Sequence, residues 1–199
     1  MTETIAAGRR ADARRNIAKI LDAAVARLSE DPAASVGSVA EAAGVGRVTL
    51  YGHFASREAL VEAAVRHAID RGEEQLSGVD LSGDPRAAME RLIQASWELV
   101  ARFRNLLIAA QDALSPARIR ELHARPGARA AELIERGQEA GVFRSDLPVT
   151  WLVGVLHNVI HGAADEINAG RLTASEAPGT ISATILAAYT PPGSRTPKD

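Results

Sequence analysis

Between Arg47 and Arg57 the chain sets two guanidinium groups, the hydroxyl of Thr49, the phenol of Tyr51 and the imidazole of His53 within one short segment. No nucleophile–base constellation and no phosphate-cradling glycine loop accompanies them, so their chemistry is hydrogen bonding to a partner. If Leu50 and Phe54, four apart, face a core from a helix, then Arg47, Val48, Tyr51 and Gly52 lie on its other side, free to meet base edges in a major groove. Thr49, His53 and Arg57 then sit where they can reach phosphates. Phosphate contacts fix register and carry little sequence information, whereas an Arg47 fork on guanine reads sequence at about 1–3 kcal/mol of discrimination.

A second constellation lies far downstream. His157, His161 and Asp165 recur four apart, with Asn158 and Asn168 close by, and two imidazoles in line with a carboxylate can bind a transition metal. Yet no glutamate follows the first histidine as in zinc-protease helices, and an interface stripe with a His161–Asp165 pair accounts for the spacing equally well. The chain has no cysteine, which removes disulfides, zinc fingers, iron–sulfur sites and thiol nucleophiles together. The expectation is no enzyme, no cofactor and no resident metal, with a metal-binding or metal-dependent hydrolytic helical protein using His157, His161 and Asp165 as the alternative.

The elements that must position these groups are helical. Ile17, Ile20, Leu21, Ala24, Val25 and Leu28 form one stripe of a helix over about 11–29. Asp31-Pro32 breaks it, Ser35 can cap a short helix ending at Gly44, and a second short helix runs from Arg47 to about Phe54. The pair, joined by Gly44-Val45-Gly46, has helix-turn-helix spacing. Ser56 to about Leu76 reads as a long helix, followed by the break SGVDLSGDP at 77–85. Further helices are expected over about 85–103, from Asn105, from Ser115-Pro116, over 128–140 after an interruption at Pro126-Gly127, over 149–168 and over 178–190.

Composition agrees with one or two soluble domains. The 199 residues are 46% apolar and 24% charged with a net charge of −2, so any affinity for nucleic acid must be local. Residues 1–57 hold eight basic and six acidic side chains; Arg9, Arg10, Arg14 and Arg15 can act as an arm reaching a minor groove or phosphates. No secretory signal and no apolar run of membrane-spanning length is evident, which points to the cytoplasm and away from a membrane.

Ile20-Leu21-Asp22-Ala23-Ala24, Ala40 to Val45, and Thr49-Leu50-Tyr51-Gly52-His53-Phe54 followed by Ser56-Arg57 resemble, in order and spacing, the N-terminal pattern of the TetR family of bacterial transcriptional regulators. The departures are Gly46 where a serine is usual, Gly52 where a larger side chain is common, and Arg57 for lysine. Gly46 as N-cap costs only a few tenths of a kcal/mol, and Gly52 inside a helix about 1 kcal/mol relative to alanine. The resemblance implies an all-α fold of about nine helices. A three-helix domain with a basic arm (1–57) would be followed by a helical effector-binding and dimerisation domain (58–190), entered by a linking helix (58–76), and by a disordered tail (191–199).

It further implies a homodimeric, ligand-responsive repressor on a palindromic operator of double-stranded DNA, in the bacterial cytoplasm at the nucleoid. The DNA-contacting residues would be Ser35, Gly46, Arg47, Val48, Thr49, Tyr51, Gly52, His53 and Arg57. An unknown small-molecule effector would meet Trp97, Phe103, Gln111, His123, Asn158 and His161. The dimer would form through Trp151, Val155, Val159, Ile181, Ile185 and Tyr189. A DNA-binding dimer that has lost its effector is the remaining alternative.

Overall fold

A computed structural model describes residues 2–193, with side chains described from Arg15 onward. Ten helices and no strand occur among the described residues: α1 (Thr2–Glu30), α2 (Val36–Ala42), α3 (Arg47–His53), α4 (Arg57–Leu76), α5 (Pro85–Arg102), α6 (Arg104–Ala113), α7 (Pro116–Leu122), α8 (Ala124–Glu139), α9 (Val149–Asn168) and α10 (Ala177–Tyr189). The all-α expectation holds, with one helix more than the nine or so expected. No helix of the described residues is long and apolar enough to cross a membrane.

The helices start and stop where short polar side chains and turns dictate. Ser35 accepts from the Ser38 N–H at 3.1 Å and caps α2, and Ser56 accepts from the Ala59 N–H at 3.2 Å at the start of α4, each satisfying a donor the first helical turn leaves unpaired. Gly44 ends α2 at φ +67°, a conformation that costs a side chain energy and glycine nothing. The expected interruption at Pro126-Gly127 does not occur. Pro126 falls in the first turn of α8, where no intrahelical N–H bond is lost. Backbone helix also extends back through residues 2–10, where a free arm was expected; the side chains of Arg9, Arg10 and Arg14 lie outside the described residues, as does most of the 191–199 tail.

The chain forms two compact units, residues 1–71 with 103–122 and residues 72–102 with 123–199. The first unit buries Ile20, Ala24 and Leu28 of α1 with Val39, Leu50 and Phe54, and with Leu60, Val61 and Ala64 of α4. Leu106, Ala109 and Ala110 of α6 and Leu122 of α7 complete that core. The apolar stripe of α4 up to Ala68 belongs to the N-terminal core, and α6–α7 join it.

The second unit packs α8 on α9 and both on α5, with α10 against α5 and α9. Its core holds larger side chains, among them Met89, Trp97, Phe143, Ile181, Ile185 and Tyr189. Tyr189 is fully buried, donates its hydroxyl to the Leu152 carbonyl at 2.6 Å and packs edge-on against Phe143 with ring centroids 5.6 Å apart. Burial pushes its phenol pKa up.

Candidate nucleic-acid interface and histidine cluster

The short helix α3 is held by one fully buried residue, Leu50, together with Phe54 just beyond its end. Burying a leucine side chain contributes about 1.5–3 kcal/mol, so this anchor fixes which face turns outward. That face carries Val48 at 88% exposure and Tyr51 at 51%, with Arg47, Thr49, Gly52 and His53 exposed beside them. An apolar valine this exposed beside a tyrosine has no packing role in the described chain, and at a groove the pair can meet thymine methyls and phosphates. Gly46 is the N-cap of α3 and supplies no side-chain bond there. Ser35, also expected at the interface, is exposed while its hydroxyl caps α2.

Two arginines differ from expectation. The Arg57 guanidinium donates to the Pro32 carbonyl at 2.7 Å and is half-buried, so it braces the start of α4 against the loop after α1 instead of standing free for a phosphate. The Arg47 side chain folds back over α2. A Cβ on Gly37 would meet its Nη2 at 2.5 Å and its Cζ at 2.8 Å, so the glycine leaves the space the guanidinium fills. Sequence reading missed Gly37; the only available signal was a glycine in the first turn of α2, where a better helix former would fit.

Several charges elsewhere in this unit pair within it. Asp22 of α1 accepts from His67 Nε2 and from Arg71 Nη1 of α4, both at 2.8 Å. Glu62 of α4 accepts from Arg118 of α7 at 2.6 Å and from Arg66 at 2.9 Å. The Arg118 guanidinium holds the Glu62 carboxyl below the usual carboxylate range.

In the second unit, Trp97 is 4% exposed and walls an open groove with Gln94, Glu98 and Arg102 of α5 and Pro178 of α10. The other residues expected around an effector are scattered. Phe103 packs against the core of the first unit, and Gln111 is exposed on α6 of that unit. Asn158 is exposed on α9. None of these, nor His123 or His161, lines the groove beside Trp97.

The expected dimer residues separate as sharply. Ile181, Ile185 and Tyr189 are 1%, 0% and 0% exposed, because α10 turns its large side chains into its own unit. All three lie in the core of the second unit. Trp151 is 61% exposed, and Val155 and Val159 are half-buried on the same side of α9. The outward face of α10 is small instead, formed by Thr180, Ala183, Thr184 and Ala187.

His157 and His161 do lie together on α9, but Asp165 is exposed and stands outside their group. Their third neighbour is His123, at the break between α7 and α8. The ring centroids of His157 and His161 are 4.3 Å apart, and those of His123 lie 4.9 and 5.4 Å from them. Burial and the other imidazoles hold His157 at about 4 and His161 at about 3, so both are neutral at pH 7. Sequence reading had His157 and His161 from their spacing. It could not attach His123, a helix and a half away along the chain, to them.

An all-helical chain whose N-terminal unit presents an exposed short helix after a tight turn falls in the class of helix-turn-helix proteins. Residues 20–64 match the model of bacterial regulatory proteins of the tetR family, so the helix-turn-helix segment is of that family's type. It is 37% identical over 81 residues, 40% of its own length, to the HTH-type transcriptional repressor LfrR of Mycolicibacterium smegmatis, of which that match spans only 43%. It is 27% identical over 179 residues to the HTH-type transcriptional regulator NfxB of Pseudomonas aeruginosa, covering 84% of this chain and 91% of that protein. The fold is shared with the solved fatty acid degradation regulator FadR from Bacillus halodurans (TM-score 0.72, 20% identity, 85% of this chain and 94% of that one). It is shared as well with LfrR solved in complex with proflavine (TM-score 0.64, 23% identity, 92% and 99%).

Proposed function

We propose that this chain is a transcriptional repressor that binds a palindromic DNA operator as a homodimer and is released by a small-molecule effector. The observation that carries the reading is the outward face of α3, where Val48 and Tyr51 stand exposed beside Arg47, Thr49 and His53 on a helix whose only fully buried residue is Leu50. Such a helix fits a major groove, with its N-terminal residues at the base edges. The family match of residues 20–64 and the regulator names of the chain's relatives support the same reading. The contacting set is α3 with Gly46 and Ser35, and Arg47 turns off Gly37 to engage a base.

Two α3 helices read one operator when their spacing matches about 34–36 Å or a multiple of it. The exposed Trp151 with Val155 and Val159 on α9, beside the small face of α10, supplies an apolar surface for the second subunit. An effector in the groove walled by Trp97 would bias one arrangement of the dimer over another, and a coupling of about 1–3 kcal/mol suffices for regulation. The complex of LfrR with proflavine supports an effector of this general kind. The protein acts in the cytoplasm, as a regulator of this family would.

Selection of bound sequences from random duplex DNA at two salt concentrations, with an Arg47→Ala/Tyr51→Ala double variant alongside, tests the reading. A palindrome of two half-sites should emerge, with affinity falling steeply with salt and sequence preference lost in the variant. No enriched sequence, with the variant behaving like the parent, would overturn it.

A further inference from the structure

One cluster of chemically capable side chains lies outside both α3 and the groove walled by Trp97. His123 sits where the chain breaks between α7 and α8, and His157 and His161 lie one turn apart on a single face of α9. One ring nitrogen from each histidine can be chosen so that the three lie within 4.8 Å of one another, and the three rings meet at centroid separations of 4.3, 4.9 and 5.4 Å. Three imidazoles do not gather for hydrophobic packing alone, since each carries a polar nitrogen that must be engaged when water is excluded. The Nδ1 of His161 is inaccessible to solvent and has no hydrogen-bond partner.

We propose that His123, His157 and His161 form a three-imidazole site for a divalent transition-metal cation of the zinc class. Nitrogen donors of this kind select zinc, copper, nickel or iron, whereas magnesium and calcium require oxygen ligands that this cluster lacks. With metal–nitrogen bonds of about 2.0–2.1 Å, the nitrogens of a tetrahedral site stand roughly 3.4 Å apart. The present spacing closes to that by turning the rings about their side-chain torsions, with two ligands fixed on one rigid helix and the third entering from the helix break. Three protein ligands leave a fourth position for water or another small ligand. Asp165, the carboxylate that the spacing alone suggests, takes no part. The site concerns the second unit only and stands whether or not α3 binds DNA.

The test uses untagged protein, stripped with a chelator and dialysed, then titrated calorimetrically with zinc alone and, in parallel, with cobalt followed by visible absorption. The expected result is one metal per chain, the intense visible bands of tetrahedral cobalt, and a melting temperature that rises with zinc and falls back with chelator. His123→Ala and His161→Ala should each weaken binding by at least about tenfold, the loss produced even by changing a group that merely hydrogen-bonds a ligand. His67→Ala, which alters a histidine of the first unit, should bind as the parent does. Should His161→Ala fail to fold, His123→Ala at the helix junction and the cobalt spectrum of the parent decide. Absence of zinc binding, an octahedral cobalt spectrum, or equal binding by His123→Ala would overturn the site.

Discussion

The two units bury their apolar residues for different ends. The first fills its core largely with alanine, valine, isoleucine and leucine and leaves Val48 and Tyr51 exposed on α3. The second draws Trp97, Phe143 and Tyr189 into its core and, of its large apolar side chains, exposes Trp151. A small-residue core allows short helices to cross closely and present a shaped outer face. A core of large side chains holds helices further apart, where a groove such as the one walled by Trp97 can open between them. In the first unit the candidate chemistry lies on the surface; in the second it lies at the edges of the core.

Truncating the centre of the aromatic core should have the largest effect. Tyr189→Ala removes a fully buried ring and its bond to the Leu152 carbonyl, and should cost about 3–5 kcal/mol, as other buried aromatic truncations do. That corresponds to a fall in Tm of roughly 10 °C for a chain of this length. Thermal melts at several protein concentrations distinguish core from interface. A loss independent of concentration confirms Tyr189 as core, and a loss seen only on dilution would return it to a subunit contact.

Trp151 makes the opposite case on the neighbouring helix. Trp151→Asp should leave helicity and the unfolding midpoint of the dissociated chain within about 0.5 kcal/mol, as surface substitutions do. It should nevertheless weaken self-association by about thirtyfold, or about 2 kcal/mol, if this exposed ring is a central contact between subunits. Sedimentation equilibrium reads both species. An unchanged association constant would move the dimer surface elsewhere.

The difference between the units also governs what the sequence could reveal. The cap at Ser35, the turn at Gly44 and the outward face of α3 follow from residues a few positions apart, so spacing alone predicted them. The fate of Ile181, Ile185 and Tyr189 does not. An amphipathic stripe says that a helix has a buried face, and only the packing of α10 on α5 and α9 says that its own unit buries it. His123 joined His157 through the same non-local packing, and Arg57 was diverted to the Pro32 carbonyl by a contact between segments twenty-five residues apart.

That Arg57 contact gives the next prediction, within the first unit. A half-buried hydrogen bond from a charged group contributes about 1.5–3 kcal/mol, so Arg57→Ala should destabilise the chain by about that much in a urea melt. Arg57→Lys should recover part of it, since an ammonium can still donate to one carbonyl but lacks the planar fork. If stability is unchanged in Arg57→Ala while DNA affinity drops at every sequence, the side chain serves phosphates as first expected and the bond to Pro32 is incidental.

The smallest effect on stability belongs to Gly37, and it separates packing from reading most finely. A methyl group there would stand 2.5 Å from the Arg47 guanidinium, but that group ends a flexible side chain and can swing outward. Alanine also favours the helix, by about 0.5–1 kcal/mol over glycine. Gly37→Ala should therefore leave the chain as stable as before or slightly more so, while removing the resting place of Arg47. If Arg47 must leave α2 to reach a base, expelling it in advance raises affinity for the selected operator and leaves affinity for random duplex unchanged. A uniform fall across all sequences would mean instead that the folded-back arginine, or the glycine backbone beneath it, already contacts DNA in the bound state.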